Sequence, residues 1–124
     1  MSARVQMTQP EFRNLKERMN MVGLNDKEVV YMLGMTRERY DEISTPSSHH
    51  LTYRESTAIT NLSIWLGSLM TILDPLFVRE WLFLPSPEPD GRTPAAIIAA
   101  GETEPIDSYI ERANDIRIEF AALI

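Results

Sequence analysis

Trp81-Leu82-Phe83-Leu84-Pro85-Ser86-Pro87-Glu88-Pro89-Asp90-Gly91-Arg92-Thr93-Pro94-Ala95-Ala96-Ile97-Ile98-Ala99-Ala100-Gly101-Glu102 reads as the end of one helix, a stiff loop and a short second helix. Asp74-Pro75 upstream and Thr93-Pro94 within it use one device, an oxygen-bearing N-cap residue followed by a proline already fixed at helical φ. The three prolines of the loop fix φ and remove backbone donors. Gly101 stands where the helix from Pro94 to Ala100 needs a residue able to turn left-handed. Such a connector sets the angle between two helices and presents a shape to a partner.

The same punctuation recurs along the chain, and it predicts an all-α fold. Thr8-Gln9-Pro10-Glu11 is a capping box opening a helix with Phe12, Leu15, Met19 and Val22 on one face, stopped near Gly23. Asn25 to Glu28 repeats the box for a short helix to Leu33, Gly34 breaks it, and Thr36 caps a third helix to Ile43. Ser44 to His50 reads as a loop, and the box at Thr52 to Glu55 opens the longest helix, to about Leu73. Its stripe of Ile59, Leu62, Leu66, Leu69 and Leu73, with Trp65 and Met70 beside it, calls for burial, against the helix from Pro75 to Phe83. The last helix starts near Thr103 to Pro105 and carries an apolar seam through Ile106, Tyr109, Ile110, Ala113, Ile116, Phe120 and Leu123. Strand signals are nearly absent.

Composition narrows the function classes. The 124 residues contain no cysteine, which removes disulfides and Cys-based zinc sites and fits a cytoplasmic protein. No signal peptide or membrane-spanning tract is legible, since the apolar run from Ile64 to Leu73 is interrupted by Gly67, Ser68 and Thr71. The net charge of −6 lies wholly after residue 50, where five arginines face eleven acids, whereas residues 1–50 balance seven bases with seven acids. An acidic second half repels phosphate and attracts basic partners. A solvated acidic face gives the same count.

Catalytic readings find no footing. His49 and His50 are adjacent, which does not place both rings on one face of a regular element, and no carboxylate stands at zinc-motif spacing. The serines lack an elbow motif or a local base and read as caps and turn formers. The methionines read as core fillers, with exposed ones suited to an adaptable binding surface, and Trp65 and Trp81 read as core. No enzyme activity, cofactor or metal is expected.

Trp81, Leu82, Pro85, Pro87, Gly91, Arg92, Thr93, Pro94, Ile97, Ile98 and Gly101 together resemble the C-terminal toxin-binding domain of the Xre/MbcA/ParS antitoxin family. The match in layout runs roughly from Tyr53 to Phe120. Leu24 to Ile43 likewise resembles the helix-turn-helix of Xre/Cro-type repressors, with Gly34 at the turn and Val29, Leu33, Met35, Tyr40 and Ile43 inward. The resemblance implies two units, a helix-turn-helix domain at 1–50 and a toxin-binding domain at 51–124. It also implies a homodimer whose partners are a RES-type toxin that consumes NAD and the chain's own promoter DNA. In the repressor motif Thr36, Arg37, Glu38 and Arg39 would face the major groove. Glu38, Asp41 and Glu42 make that helix acid-rich, and Val30 stands where the family usually has alanine.

Inhibition, as the family implies it, places the C-terminal helix and tail over the toxin's active site. The candidate partner-binding residues are Arg92, Glu102, Glu104, Asp107, Glu111, Arg117, Phe120, Leu123 and Ile124: an acid run at a helix start and an apolar tail. Helix-dipole stabilisation accounts for the first acids equally well, and a tail of this kind docks either on its own domain or on another protein. The alternative from another class is a small helix-turn-helix transcriptional regulator, or phage-type control protein, without a toxin.

Overall fold

The computed structural model describes residues 4–6, 9–44, 50–84 and 91–123, with side chains for 12–44, 51–84, 91–112, 114 and 115. The described chain is mostly helical, in the order β1 (Arg4–Gln6), α1 (Gln9–Val22), α2 (Asp26–Leu33), α3 (Arg37–Ser44), β2 (His50–Thr52), α4 (Tyr53–Ile72), α5 (Pro75–Leu82), α6 (Pro94–Ala99) and α7 (Glu104–Leu123). Among the described residues no helix is long and apolar enough to cross a membrane. Thr8 and the prolines at 85, 87 and 89 lie outside the described residues, as do His49 and Ile124.

Local hydrogen bonds explain where the helices begin. The Asn25 side chain accepts from Glu28 N at 2.9 Å while Glu28 Oε1 accepts from Asn25 N at 3.0 Å. Thr52 and Glu55 repeat the exchange at 3.1 and 2.9 Å, so α2 and α4 both start on reciprocal capping boxes. Asp74 Oδ1 accepts from Leu76 N at 3.0 Å, Thr93 Oγ1 from Ala96 N at 3.1 Å, and each cap is followed by proline. Each of these partners lies within three residues.

Helix ends use left-handed glycines at two decisive places. Gly34, at φ 68°, closes α2 and turns the chain into α3. Gly101, at φ 80°, ends α6, with its N–H donating to Ile98 O at 2.9 Å and the Glu102 N–H to Ile97 O at 3.2 Å. That pair of bonds is a Schellman motif, which satisfies two carbonyls that the helix leaves open.

Packing is centred on α4. Ile59, Leu62, Leu66 and Leu69 are buried, and Leu73 packs at the edge of the same core. α4 meets α1 more than the expected helix at 75–83: α1 makes the most extensive contact, and α7, α2, α5 and the two strands make smaller ones. Length explains the difference. A 20-residue helix runs about 30 Å and an eight-residue one about 12 Å, so α5 covers only part of the stripe. At the α1–α4 crossing, Arg18 donates to the Ser63 carbonyl at 2.5 Å and hydroxyl at 3.2 Å, lying across Gly67, where a Cβ would stand 2.9 Å from the guanidinium.

The core is continuous across residue 50. Leu15, Val29, Met32 and Tyr40 join Leu51, Ile59, Leu82, Ile97 and Ile106 in one apolar cluster, and α2 packs on α6. At about 1.5–3 kcal/mol per fully buried large side chain, this shared surface outweighs any single polar contact described here.

Two short strands depart from the sequence reading. β1 and β2 pair antiparallel with Val5 opposite Leu51, so His50 opens a strand instead of ending the expected loop. Three residues are too few to show alternation, and the pairing joins segments some 46 residues apart, a relation local pattern does not carry.

Candidate functional site

Thr36 precedes α3 and Arg37, Glu38 and Arg39 open it, and three of these four are engaged internally. Thr36 Oγ1 accepts from Arg39 N at 3.1 Å, the N-cap role. Arg37 Nε donates to Asp41 Oδ1 at 3.0 Å, its second amino group stands 3.8 Å from Asp26 Oδ2, and the guanidinium lies 6.0 Å above the Tyr40 ring. Arg39 grips Glu55 with two bonds, at 2.7 and 2.9 Å, and reaches Glu42 at 3.0 Å. Glu38 is exposed.

These pairs set the electrostatics of the surface. The bidentate Arg39 bond, helped by the Thr52 N–H, pulls the Glu55 carboxyl down to about 2 against the opposing effect of burial. Arg39 is raised in turn, by Glu55 first and Glu42 after it. Its side chain is only 20% exposed, whereas that of Arg37 is 56% exposed. Phosphate would have to displace a carboxylate to take Arg39, and Arg37 is the more accessible of the two.

Behind α3 lies an acid that the sequence reading left in the capping segment. Asp26 Oδ1 accepts from the buried Tyr40 hydroxyl at 2.9 Å and from Lys16 Nζ at 3.5 Å, so one carboxylate links α1, α2 and α3. The Tyr40 hydrogen bond and the two cations hold Asp26 below the usual carboxylate range despite partial burial. Burial, then the bond to Asp26, pushes the Tyr40 phenol up. On the far side of α2, Glu28 takes two bonds from Arg79 of α5, at 2.6 and 3.2 Å. Burial pushes Glu28 up, but Arg79 and the Asn25 N–H outweigh it and its pKa is lowered.

The C-terminal candidates separate into distinct roles. Arg92 and Glu102 pair with each other, bracing the segment before α6 against the turn after it. Asp107 Oδ1 accepts from the Trp65 indole N–H at 2.8 Å, fixing α7 to α4. Glu104 and Glu111 are exposed along the outside of α7. Trp81 is half-buried and meets Tyr109 edge to face, with ring centroids 6.4 Å apart. Arg117, Phe120 and Leu123 lie on α7 where side chains are not described, and Ile124 is outside the described residues.

One feature has no counterpart among the sequence candidates. A groove of about 340 Å³ lies between the end of α2, the first three turns of α4 and the α6–α7 turn. Its α4 lining, Tyr53, Thr57, Asn61 and Trp65, repeats every four residues, a face the apolar stripe had hidden because only Trp65 is plainly hydrophobic and buried. Among the described residues no group of three or more acidic or histidine side chains is placed to hold a metal ion.

Compared with protein-family models, with curated proteins and with solved structures, the chain matches none.

Proposed function

We propose that this chain is an antitoxin: a homodimeric, non-catalytic, cytoplasmic protein that binds a RES-type toxin and keeps NAD out of its active site. What supports the reading most is the braced elbow from Gly91 to Glu104. The Thr93 cap, Pro94, the Schellman turn at Gly101 and the Arg92–Glu102 pair fix α6 and the start of α7 as one piece. That piece carries seven of the eleven family-like residues, from Gly91 to Gly101, and leads into a helix bearing exposed Glu104 and Glu111. A cleft that binds the pyrophosphate of NAD needs cationic groups, and an acidic helix complements them. The test is NAD consumption by a RES-type toxin with and without the chain. Inhibition at a one-to-one ratio is expected, and NAD loss unaffected by excess chain would exclude the role.

Promoter binding through α3 is the second part of the proposal, and the same segment supports the alternative of a transcriptional regulator acting without a toxin. Thr36, Arg37 and Glu38 are exposed at the first turn of α3, after a glycine turn. The internal pairs of Arg37 and Arg39 reduce what either offers to DNA, so a dimer using both copies is the expected binding form. Anisotropy titrations with the chain's own upstream DNA at several salt concentrations test this, because displacement of counterions makes phosphate contacts steeply salt-dependent. Tight operator binding with no effect on any toxin would favour the regulator.

A further inference from the structure

Along α4 the groove between α2, α4 and the α6–α7 turn runs from Arg54 at one end to Trp65 at the other. Trp65, Met32 and Leu33 at the end of α2, and Ile98 on α6 are its apolar lining. Arg54 is the only ionisable side chain other than the Tyr53 phenol among the residues lining the groove, and no acid among the described residues pairs with it. In a chain of net charge −6, a groove whose single charge is positive runs against the background. Of the acids next in sequence to the lining, Glu55 is bound to Arg39 and Glu102 to Arg92, while Asp107 accepts from the indole N–H of the lining Trp65. Glu104 is solvent-exposed and does not line the groove.

From this we infer that the groove is a binding site for a small elongated amphipathic carboxylate, with its apolar body on Trp65, Met32, Leu33 and Ile98 and its carboxylate at Arg54. The dimensions agree. Arg54 and Trp65 are eleven residues apart on one helix, roughly 16 Å between their backbones along the axis, so the groove suits an elongated ligand. A volume of about 340 Å³ is at the small end of ligand pockets. Thr57 and Asn61, between the two ends on the same face of α4, offer a hydroxyl and an amide for the oxygens. Since α2 forms one wall and α6 the other, an occupant would tie the first fifty residues to the rest. The inference is independent of the antitoxin reading.

Amide NMR titration of the full chain with octanoate, and with the neutral octanamide of matched length, tests it. Octanoate should give saturable shifts centred on Thr57, Asn61, Gly101 and Thr103. Octanamide should bind roughly three- to tenfold more weakly, as expected for losing one charge-assisted contact at a partly screened site. Arg54→Gln should bring octanoate down to the octanamide level, and Thr57→Trp, at an exposed position, should block both by filling the groove. Equal affinities for acid and amide, octanoate binding unchanged by Arg54→Gln, or no saturable shift at millimolar octanoate would overturn the proposal. If a toxin chain shifts these amides and octanoate does not, the groove is a protein contact and the carboxylate assignment is wrong.

Discussion

Gly34 carries a φ of 68°, and a Cβ built there would meet the Ala99 carbonyl oxygen at 3.5 Å, an ordinary contact. A side chain at this position is therefore opposed by backbone conformation and not by space. Gly34→Val should lower stability by about 1–3 kcal/mol, read as a fall in melting temperature, and an unchanged melt would mean that the turn between α2 and α3 tolerates another geometry. The Arg39–Glu55 pair makes a second residue-scale prediction. Glu55 has its pKa depressed to about 2 from an ordinary 4.5, so its contribution is full above the ordinary value and is lost as pH falls toward 2. That loss is on the order of 2–3 kcal/mol for a side chain this well buried. Glu55→Gln should flatten the acid limb of the stability profile between pH 4.5 and 2, as measured by denaturant unfolding at each pH. A wild-type limb of the same slope would show that the pair does not couple to folding.

Elements were the legible scale, because their boundaries are written in bonds between residues two to three apart. Asn25 with Glu28, Thr52 with Glu55 and Thr93 with Ala96 each place a cap and the N–H that donates to it inside one short string, so their helices could be read directly. The contacts that decide packing span far more chain. Arg39 and Glu55 are 16 residues apart, Trp65 and Asp107 are 42, Arg18 and Ser63 are 45, and Arg79 and Glu28 are 51. Nothing local marks such a pair. Gly67 is instructive: in sequence it interrupts an apolar tract, and in the fold its missing Cβ leaves room for the Arg18 guanidinium. The groove was hidden for a similar reason, since Tyr53, Thr57 and Asn61 read as the polar side of an amphipathic helix until α2 and α6 flank them. Of the candidate sites, the α3 turn and the α6–α7 elbow were placed in their elements, while the internal partners of Arg37, Arg39, Arg92 and Asp107 were not foreseen. At this scale Gly101→Ala is the informative change. The φ of 80° disfavours a Cβ even in open space, so the α6 end should fray at about 1–2 kcal/mol, seen as faster hydrogen exchange at Gly101 and Glu102. Exchange at the wild-type rate would remove the elbow's claim to rigidity.

Across the whole molecule, α1 rests on α4 and α5, and α2 rests on α6. A fragment of residues 1–50 should consequently lack a cooperative melt, because Leu15, Met19, Val29 and Met32 would lose the surfaces of α4, α5 and α6. Circular dichroism of that fragment checks this, and a sharp transition would show an independent first unit. Deleting residues 116–124 tests the other end. If the tail covers a toxin's active site, the truncated chain should melt near the full-length temperature and fail to protect NAD. If Phe120 and Leu123 serve the chain's own core instead, stability should fall by several kcal/mol at about 1.5–3 per buried side chain. A truncation that melts normally and still inhibits would place the toxin contact on Glu104 and Glu111.

The α1–α4 seam also has a consequence in time. Val22 ends α1 and Ile72 ends α4, so 50 residues of synthesis separate the first helix from the completion of the one that covers it. At about 5–20 residues per second the interval is roughly 3–10 s, while a helix of this length forms in about a microsecond. During that interval the apolar face of α1, through Leu15, Met19 and Val22, lacks the largest of the native surfaces it closes on. A nascent chain of this protein is thus a substrate for chaperones, and for proteases, until its middle helix has left the ribosome.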